Sequence, residues 1–402
     1  MISGRKIIFI CAYWHDVRWQ GFVGATVKVR DLAQNLAGEG CRVVAFLPRY
    51  RFDRKGLPFR IVELPFVDLP ILRFLSFNIA LAAGLLRFHL KHRPDAVFVR
   101  RMGSILPALY ARLARCILFF DVNDDPYHKT RHEGGRFIFR IRRWVAERGD
   151  ELNLRLCNRA FVINRALADK LIRRIKGAGL HKKILINASG ANTDLFVPIS
   201  EKICRRRLNL SLDHSYIGFI GTLLKHQGIE ILMEAAPEIL KNRPDTIFLI
   251  VGEGPLRNAL MERATSLGLD RCFLFPGAVR YEDAPLWIGA SDICISPMTQ
   301  AAGLRSPVKI FDYLASGRPV VASRINGTTT IFKSSEAVVF TEPGDAGELA
   351  DAIILLLEDG SRRRRMGREA RSFVVRRFDR RLLAVKILEQ IGNLQENNAV
   401  QP

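Results

Sequence analysis

Short apolar segments alternate with helical segments along the whole chain, and this alternation is the feature that most restricts its fold. In the first half, the predicted strands are Lys6–Tyr13, Arg42–Leu47, Ala96–Arg100, Cys116–Val122, Arg159–Asn164 and Ile184–Asn187. In the second half, they are Tyr216–Ile220, Thr246–Val251, Phe273–Phe275, Ile293–Ser296, Val320–Ala322 and Ala337–Phe340. Predicted helices such as Ala25–Gly38 and Ile229–Leu240 carry apolar residues at helical spacing. Apolar strands joined by helices are typical of parallel sheets covered on both faces, so the predicted fold class is α/β.

The length of the chain indicates two domains. A chain of 402 residues is too long for one ordinary core and suits two domains of ~200 residues each. We interpret the loop-rich passage Gly190–Pro198 as the linker between them. The prediction is a first domain over 1–197, a second over 198–380, and a C-terminal helix with a loose tail over 381–402. Two such domains in tandem leave a cleft, where ligands bind at the carboxyl ends of the strands.

The positive charge of the chain lies almost entirely in its first half. The net charge is +22, and residues 1–197 carry 35 Lys and Arg against 16 Asp and Glu. Residues 198–402 carry 27 against 24. A field confined to one domain suits a polyanionic surface, either anionic lipid or nucleic acid, and the alternative is a basic protein that is simply solvated. No helix-turn-helix, zinc finger or interleaved aromatic and basic motif is present, so nucleic acid is not expected as a partner.

An apolar segment between Leu64 and Leu90 also bears on whether the protein contacts lipid. Its longest charge-free run, Phe74–Leu86, has 13 residues, fewer than the ~20 that a membrane-spanning helix needs. The segment is therefore either a helix buried in the core, which is our first interpretation, or one that lies in a lipid interface.

The cysteines indicate a reducing compartment, and the N-terminus indicates a first strand. Seven cysteines are spread singly, with no C-x-x-C pair, which predicts free thiols rather than disulfides or a zinc site. The apolar run from Met1 to Tyr13 has no small-residue cleavage site, and we interpret it as a first strand rather than a signal peptide.

The segment Ser306–Ala322 predicts a helix whose first turn can face an anion. Ser306 is a residue type that caps helices, Pro307 fits the first turn, and Gly317 ends the helix. The unpaired N–H groups and the dipole of such a helix attract anions. Lys309 lies in this first turn, where a cation opposes the dipole, so a bound phosphate would explain its placement. The alternative is an ordinary surface helix.

Several groups of residues, taken in order, resemble the motifs of a known protein family. They are Ile7–Tyr13, Gly24–Ala25 and Val29–Leu36; Asn192–Pro198; Phe219–Leu223 with Gly228–Ile229; Val251–Leu256; Pro276–Val279; Ser306–Ala322; and Glu342–Asp345 with Leu349–Ala352 and Met366–Gly367. Together they resemble the retaining glycosyltransferases of family 4, over nearly the whole chain. The resemblance implies the GT-B fold, in which two Rossmann-like parallel-sheet domains face each other across a cleft.

The same resemblance implies a reaction and a set of residues. Members of that family transfer a sugar from a nucleotide diphosphate-sugar to an acceptor with retention, and they use no metal or other cofactor. Negative charge grows on the leaving diphosphate, so cations and helix N–H groups should surround it. The candidate catalytic residues are Lys225, Lys309, Asp312 and Asp124. The candidate donor-binding residues are Gly24, Gly221, Thr222, Gly252, Glu253, Val279, Ser306, Pro307 and Val308.

Some of these residues have a specific expected role. Asp312 stands where the family has a glutamate that holds the ribose hydroxyls, and the backbone of Gly277–Val279 would frame the base. Gly24 would let its loop approach the donor phosphates or the acceptor closely. Glu253 either orients the donor-side loop or has only a structural role in the turn.

The loop after the fourth predicted strand leaves alternatives open. Asp124 and Asp125 could contact acceptor hydroxyls or cap the next segment. His128 and His132 could bind the acceptor or act in proton transfer, or they are simply solvated.

The chain also departs from the family pattern. Thr222 and Gln227 replace an arginine and a lysine of the phosphate loop, Leu304 replaces the first glutamate of a Glu-x7-Glu signature, and Asn123 replaces a histidine. The cations close to these positions that could compensate are Lys225, His226, Arg305 and Lys309.

The predicted function is sugar transfer from a nucleotide-sugar to a lipid-linked or cell-envelope glycan. We expect the protein at the cytoplasmic face of the membrane, where its basic first domain docks peripherally on anionic lipid. The alternative is a non-catalytic partner subunit that binds the donor without turnover, which the departures at Thr222, Gln227 and Leu304 favour.

Overall fold

The computed structural model describes residues 7–12, 24–49, 56–69, 72–100, 102–123, 125, 137–304 and 307–400. The chain divides into two compact units, which we call the first and second domains. The first domain comprises Met1–Asn187 and Arg381–Pro402, and the second comprises Ala188–Arg380.

The strands and helices up to residue 187 follow each other in chain order. They are β1 (Ile8–Ala12), α1 (Gly24–Gly38), β2 (Arg42–Pro48), β3 (Arg60–Leu64), α2 (Leu72–Lys91), β4 (Ala96–Arg100), α3 (Leu106–Leu113), β5 (Ile117–Val122), α4 (Phe137–Leu156), β6 (Arg159–Val162), α5 (Arg165–Arg174), α6 (Leu180–Lys183) and β7 (Ile184–Ile186).

The remaining elements continue the alternation. They are α7 (Glu201–Arg207), β8 (Ser215–Ile220), α8 (Ile229–Asn242), β9 (Thr246–Val251), α9 (Arg257–Ser266), β10 (Phe273–Gly277), α10 (Ala284–Ala290), β11 (Ile293–Ser296), α11 (Val308–Ala315), β12 (Val320–Ser323), α12 (Asn326–Phe332), β13 (Val338–Thr341), α13 (Ala346–Glu358), α14 (Gly360–Arg377) and α15 (Arg381–Val400).

Each domain is built on one parallel sheet. In the described part of the chain, the first sheet has the strand order β3-β2-β1-β4-β5-β6-β7 and the second has β10-β9-β8-β11-β12-β13. The printed strand pairs are parallel in both sheets. In each sheet the strand order reverses beside the first strand, between β1 and β4 and between β8 and β11. This is the Rossmann arrangement, so the prediction of an α/β protein with two Rossmann-like domains is confirmed.

The second domain has a continuous aromatic and aliphatic core beneath its helices. The ring of Phe311, on α11, lies 4.8 Å from the ring of Phe332 and 5.1 Å from that of Phe378. Ile310 and Leu314 of the same helix are also buried, as the helical spacing of these residues predicts. Because one face of α11 packs into this core, the position of its first turn is fixed.

Strand β3 is the one strand of the described residues that the sequence does not predict. Arg60 and Glu63 interrupt its short apolar run, which weakens the pattern. It forms at the edge of the sheet because its backbone pairs with β2 over five residue pairs, from Val44 with Arg60 to Pro48 with Leu64.

The predicted linker belongs to the second domain, so the boundary lies at Ala188 and not at 198. Ala191 N–H donates to the carbonyl of Phe378 at 2.9 Å. The guanidinium of Arg371 donates to the carbonyl of Phe196 at 2.6 Å. These hydrogen bonds hold the loop-rich segment on the second domain, which its composition could not reveal.

The C-terminal segment also differs from the prediction. We expected a loose tail after a helix, but α15 continues to Val400. Ala384, Ile387 and Ile391 of this helix are buried in the core of the first domain, next to α1. The chain therefore returns to the first domain after completing the second.

The apolar segment 64–90 forms a helix that is buried on one face, as the first interpretation predicts, and exposed on the other. Helix α2 buries Phe77, Leu81 and Leu85, which face the core, whereas Ile79 and Leu86 are 63% and 62% exposed. Of the helices that the structure describes, none has the length and apolar character that crossing a bilayer requires.

Candidate functional site

Lys309 occupies the switch point of the second sheet. It lies in the first turn of α11, next to the carboxyl end of β8, and its ammonium is 3.6 Å from the centre of the Phe219 ring. A Cβ atom at position 221 would lie 3.1 Å from Lys309 Nζ, so a larger residue here would crowd the ammonium. Burial lowers the pKa of Lys309 well below its ordinary value of 10.5. A charge-bearing side chain is thus held where ligands bind in open α/β sheets.

The hydrogen-bond partner of Lys309 is Gln227. The ammonium donates to Gln227 Oε1 at 2.5 Å. The Gln227 side-chain nitrogen lies 3.1 Å from His226 Nε2, so both ends of the amide are engaged. Within the described residues, Lys309 forms no ion pair. An anion entering beside Gly221 would therefore be its first negatively charged partner there.

Three glycines let the loops after β8 and β9 approach each other closely. Cβ atoms at Gly252 and Gly254 would lie 1.9 Å from the Gly221 oxygen and 2.4 Å from the Leu223 oxygen. Gly252 also has φ of +140°, which favours glycine. Its N–H donates to the carbonyl of Gly277 at 2.8 Å, which ties the end of β9 to the end of β10. The predicted donor-binding glycines Gly221 and Gly252 are thus brought together.

Tyr313 fixes α11 against the end of β8. Ile220 N–H donates to Tyr313 Oη at 2.8 Å, and the hydroxyl lies 3.1 Å from the Ile220 carbonyl oxygen, to which it donates. Burial raises the pKa of Tyr313 well above its ordinary value of 10.0, so the hydroxyl stays protonated. Since Tyr313 and Lys309 are one helical turn apart, this contact sets the position of the lysine relative to Gly221.

Asp312 is engaged by an arginine from the end of the domain. Its Oδ1 lies 3.6 Å from Arg380 Nη2, and both side chains are largely buried. Arg380 also donates to Tyr281 Oη at 2.8 Å and to the Gly190 carbonyl at 3.2 Å. The carboxylate that we expected to hold ribose hydroxyls therefore lies in a buried polar cluster, and a ribose would share it with Arg380.

The other predicted residues of the phosphate loop lie at the surface. Thr222 and Lys225 are both exposed. Pro307 caps the N-terminus of α11 without a side-chain hydrogen bond, and Val308 is the first residue of that helix. Ser306 lies outside the described residues, as does its neighbour Arg305.

Glu253 and Val279 border the same loops. The Glu253 carboxylate lies 3.2 Å from Arg257 Nε, and its backbone carbonyl accepts from Leu223 N–H at 2.9 Å. Glu253 therefore links two loops through its backbone while its side chain stays at the surface. Val279 is half-buried after the end of β10.

In the first domain, two of the predicted residues can be placed. Gly24 is the first residue of α1. Asp124, His128 and His132 lie outside the described residues. Asp125 is described, and its carboxylate lies 2.5 Å from Lys170 Nζ on α5.

Sequence reasoning missed a buried polar cluster at the ends of β4 and β5. Arg100 and Asp121 are sheet partners, and Arg100 Nη1 lies 3.4 Å from Asp121 Oδ2. Asn123, which stands where the family has a histidine, donates to Asp121 at 2.5 Å. The signal that could have found the pair is a charged residue closing each of two neighbouring apolar strands.

The arrangement in the second domain suits a phosphate group. The Lys309 ammonium and the first turn of α11 both direct positive charge toward Gly221. In the described ranges, no three His, Cys, Asp or Glu side chains come together as a metal site would require.

Comparison with solved structures defines the class of fold. Sucrose-phosphate synthase from Thermosynechococcus elongatus has a TM-score of 0.77 and 19% identity, covering 98% of this chain and all of that one. HepE from Anabaena, solved in complex with UDP, has a TM-score of 0.73 and 20% identity, covering 97% and 100%. The chain has the GT-B fold of the glycosyltransferases.

The family models identify each half separately. Residues 23–178 match the glycosyl transferase 4-like domain, and residues 214–359 match the glycosyl transferases group 1. Each of these two glycosyltransferase models thus matches a different part of the chain.

The first curated relatives match over shorter stretches. A GDP-mannose-dependent α-(1-6)-phosphatidylinositol monomannoside mannosyltransferase from Mycolicibacterium smegmatis is 27% identical over 212 residues, which is 52% of this chain and 56% of that protein. The matches to these first relatives span 46% to 62% of their length, so the chain covers about half the length of each.

Proposed function

We propose that the protein is a glycosyltransferase that moves a sugar from a nucleotide diphosphate-sugar to an acceptor, with retention at the anomeric carbon. The observation that carries this proposal is the placement of Lys309 against Gly221 at the switch point of the second sheet. Similar proteins support the donor class: HepE is solved with UDP, and the mycobacterial relative uses GDP-mannose. These two relatives use different nucleotides, so the donor base and sugar are left to experiment.

The proposed mechanism concerns the charge on the leaving group. When the glycosidic bond breaks, the sugar develops oxocarbenium character and the diphosphate gains negative charge. Lys309 donates to the diphosphate, releasing Gln227, and the N–H groups at the start of α11 add further stabilisation. Because these groups are fixed by Tyr313 before the donor arrives, they need little reorganisation during the reaction.

These fixed positive groups also support a reaction without a metal ion. An ammonium and a helix terminus can offset the negative charge of the diphosphate, as a divalent cation does in other enzymes. We expect activity to persist in EDTA, and an activity that is lost in EDTA and restored by Mg²⁺ or Mn²⁺ would contradict this part of the proposal.

We propose a lipid-linked or cell-envelope glycan as the acceptor, met at the cytoplasmic face of the membrane. Residues 1–197 contain 35 basic and 16 acidic residues, and this positive charge supports attraction to an anionic surface. The phosphatidylinositol-based acceptor of the mycobacterial relative is consistent with an amphiphilic substrate.

A screen of nucleotide-sugars tests the transferase activity. Thermal shift and hydrolysis would be measured with a panel of donors for the wild type, for Lys309→Ala, and for Lys241→Ala as a control. Lys241 is an exposed lysine of the same domain, 76% accessible in its side chain. We expect one donor to raise Tm and to be hydrolysed slowly, with both effects lost in Lys309→Ala and kept in Lys241→Ala. The absence of binding to every donor would contradict the proposal.

A second candidate function is a partner subunit that binds the donor without turnover. Leu304 favours it, because a half-buried apolar side chain stands where the resemblance implies a carboxylate. Donor binding without hydrolysis or transfer, even with membrane extracts as acceptor, would support this candidate over the enzyme.

A further inference from the structure

Helix α2 exposes a continuous apolar stripe. The large apolar residues on this side have exposed fractions of 43% to 77%: they are Leu72, Leu75, Ile79, Leu86 and Leu90. Ala82 and Ala83, which are also exposed, fill the gap between Ile79 and Leu86. Spacings of three, four and seven residues place these side chains on one side of the helix, over a length of roughly 27 Å. We call this set the α2 stripe.

The α2 stripe is separate from the face that holds the helix in its domain. The opposite face buries Phe77, Leu81 and Leu85 and therefore accounts for the packing of α2 on its sheet. A helix of a soluble domain normally carries polar residues opposite its buried face. An exposed row of large apolar residues therefore indicates a surface that binds another protein or a membrane.

The neighbouring helix α3 also exposes apolar residues. The His89 ring of α2 packs edge-on against the Tyr110 ring of α3, with centroids 5.8 Å apart. Helix α3 exposes Leu109 and Leu113, the latter at 84%. Two adjacent helices thus present leucines to solvent.

The charged residues of helix α2 itself all have the same sign. Helix α2 contains Arg73, Arg87 and Lys91 and no aspartate or glutamate. Arg73 pairs with Asp68, which precedes the helix, whereas Arg87 and Lys91 are exposed near its C-terminal end. Leucines flanked by basic residues match an anionic bilayer, in which apolar side chains enter between the headgroups and cations meet the phosphates. A second copy of the same helix would instead bring like charges together.

We propose that α2 docks the protein on an anionic phospholipid bilayer, with the α2 stripe inserted at the level of the headgroups. This inference deepens the proposed function, on which it rests for the amphiphilic acceptor. It assigns the contact to one helix rather than to the general basic charge of the first domain.

Vesicle co-sedimentation of the full chain tests the assignment. The vesicles would contain phosphatidylcholine alone or mixed with phosphatidylglycerol, and no donor would be present. The double variant Ile79→Gln/Leu86→Gln keeps the charge of the protein and removes two central members of the stripe. Leu355→Gln is the control, because Leu355 is a 52% exposed leucine on α13 of the second domain.

We expect the wild type and Leu355→Gln to bind the anionic vesicles, and the double variant to bind them at least ~10-fold more weakly. Binding of all three proteins should fall on phosphatidylcholine alone. A double variant that binds as the wild type does would overturn the assignment. So would a wild-type dimer that the double variant converts to a monomer while vesicle binding is unchanged, because the stripe would then belong to a second copy.

The donor-induced thermal shift of the same variants separates the two proposals. The shift should be unchanged in Ile79→Gln/Leu86→Gln, which shows that the variant is folded. A loss of vesicle binding with an intact shift supports membrane docking, while a missing shift in the wild type affects only the transferase proposal.

Discussion

The Lys309 ammonium donates its hydrogen bond to Gln227 across 2.5 Å, so two residues that lie far apart in the chain form one polar unit. The resemblance to family 4 implies a lysine at position 227, and here an amide occupies it. The amide holds a lysine that comes from α11 instead. A lysine of a helix that Tyr313 fixes is thus held beside the loop after β8.

Removing the amide of Gln227 should destabilise the second domain. Gln227→Leu takes away the acceptor for a half-buried ammonium, and we expect the free energy of unfolding to fall by about 1–3 kcal/mol. Urea unfolding would measure it. Gln300→Leu, at an exposed glutamine of the same domain, is the control and should change little. An equal effect of both substitutions would show that the contact with Lys309 does not contribute.

The pH dependence of stability should carry a contribution from Lys309. Its folded-state pKa lies well below 10.5, so between that pKa and 10.5 the unfolded state holds a proton that the folded state has released. The free energy of unfolding therefore gains a term that rises with pH across this window. Lys309→Met should remove the term, so the wild type should gain stability relative to this variant as pH rises. Urea unfolding at several pH values would measure the difference, with the exposed Lys241→Met as a control that shows no such trend.

Donor binding should have the opposite pH dependence. A diphosphate favours the charged ammonium, so the affinity for a nucleoside diphosphate should fall as pH rises through the same window. Calorimetric titration at several pH values would show it. Lys309→Arg stays charged throughout and should give a flatter profile, and a wild-type profile as flat as that of the arginine variant would contradict the role of Lys309.

The close approach of the two loops should depend on Gly252. Gly252→Ala would place a Cβ atom 1.9 Å from the Gly221 oxygen, so the backbone must move and the diphosphate site with it. We expect a stability loss of more than about 2 kcal/mol, together with loss of the donor-induced thermal shift. Gly268→Ala is the matched control: its φ is +68°, but nothing lies within 4 Å of the added carbon. It should cost only about 1 kcal/mol and leave donor binding intact.

The buried pair of Asp312 and Arg380 should be strongly coupled. Asp312→Asn leaves an arginine that is 7% exposed without its carboxylate, and we expect a loss of about 3 kcal/mol. The double variant Asp312→Asn/Arg380→Met should lose less than the sum of the single losses. Glu342→Gln, which breaks an exposed pair with Arg324, should cost at most about 1 kcal/mol. Additive effects at 312 and 380 would show that the two groups act independently.

The fold was predictable because it depends on patterns that are local. Strands such as Ile293–Ser296 and Ala96–Arg100 are short apolar runs, and the structure gives them the bounds that the sequence predicts. The helix from Val308 follows from Pro307 and from the spacing of its apolar residues. Strand β3 did not follow, because its stability comes from pairing with β2 rather than from its own sequence.

The sequence by itself determined the α/β class, the two Rossmann-like domains and the helix whose first turn contains Lys309, because residue spacing and helix-terminus signals are encoded locally. Only the tertiary structure decided that Lys309 meets Gln227, that Asp312 meets Arg380, and that α2 buries one apolar face and exposes the other. It also decided that α15 returns to the first domain. These features join residues distant in the chain, and their partners are chosen by packing, which no local pattern records.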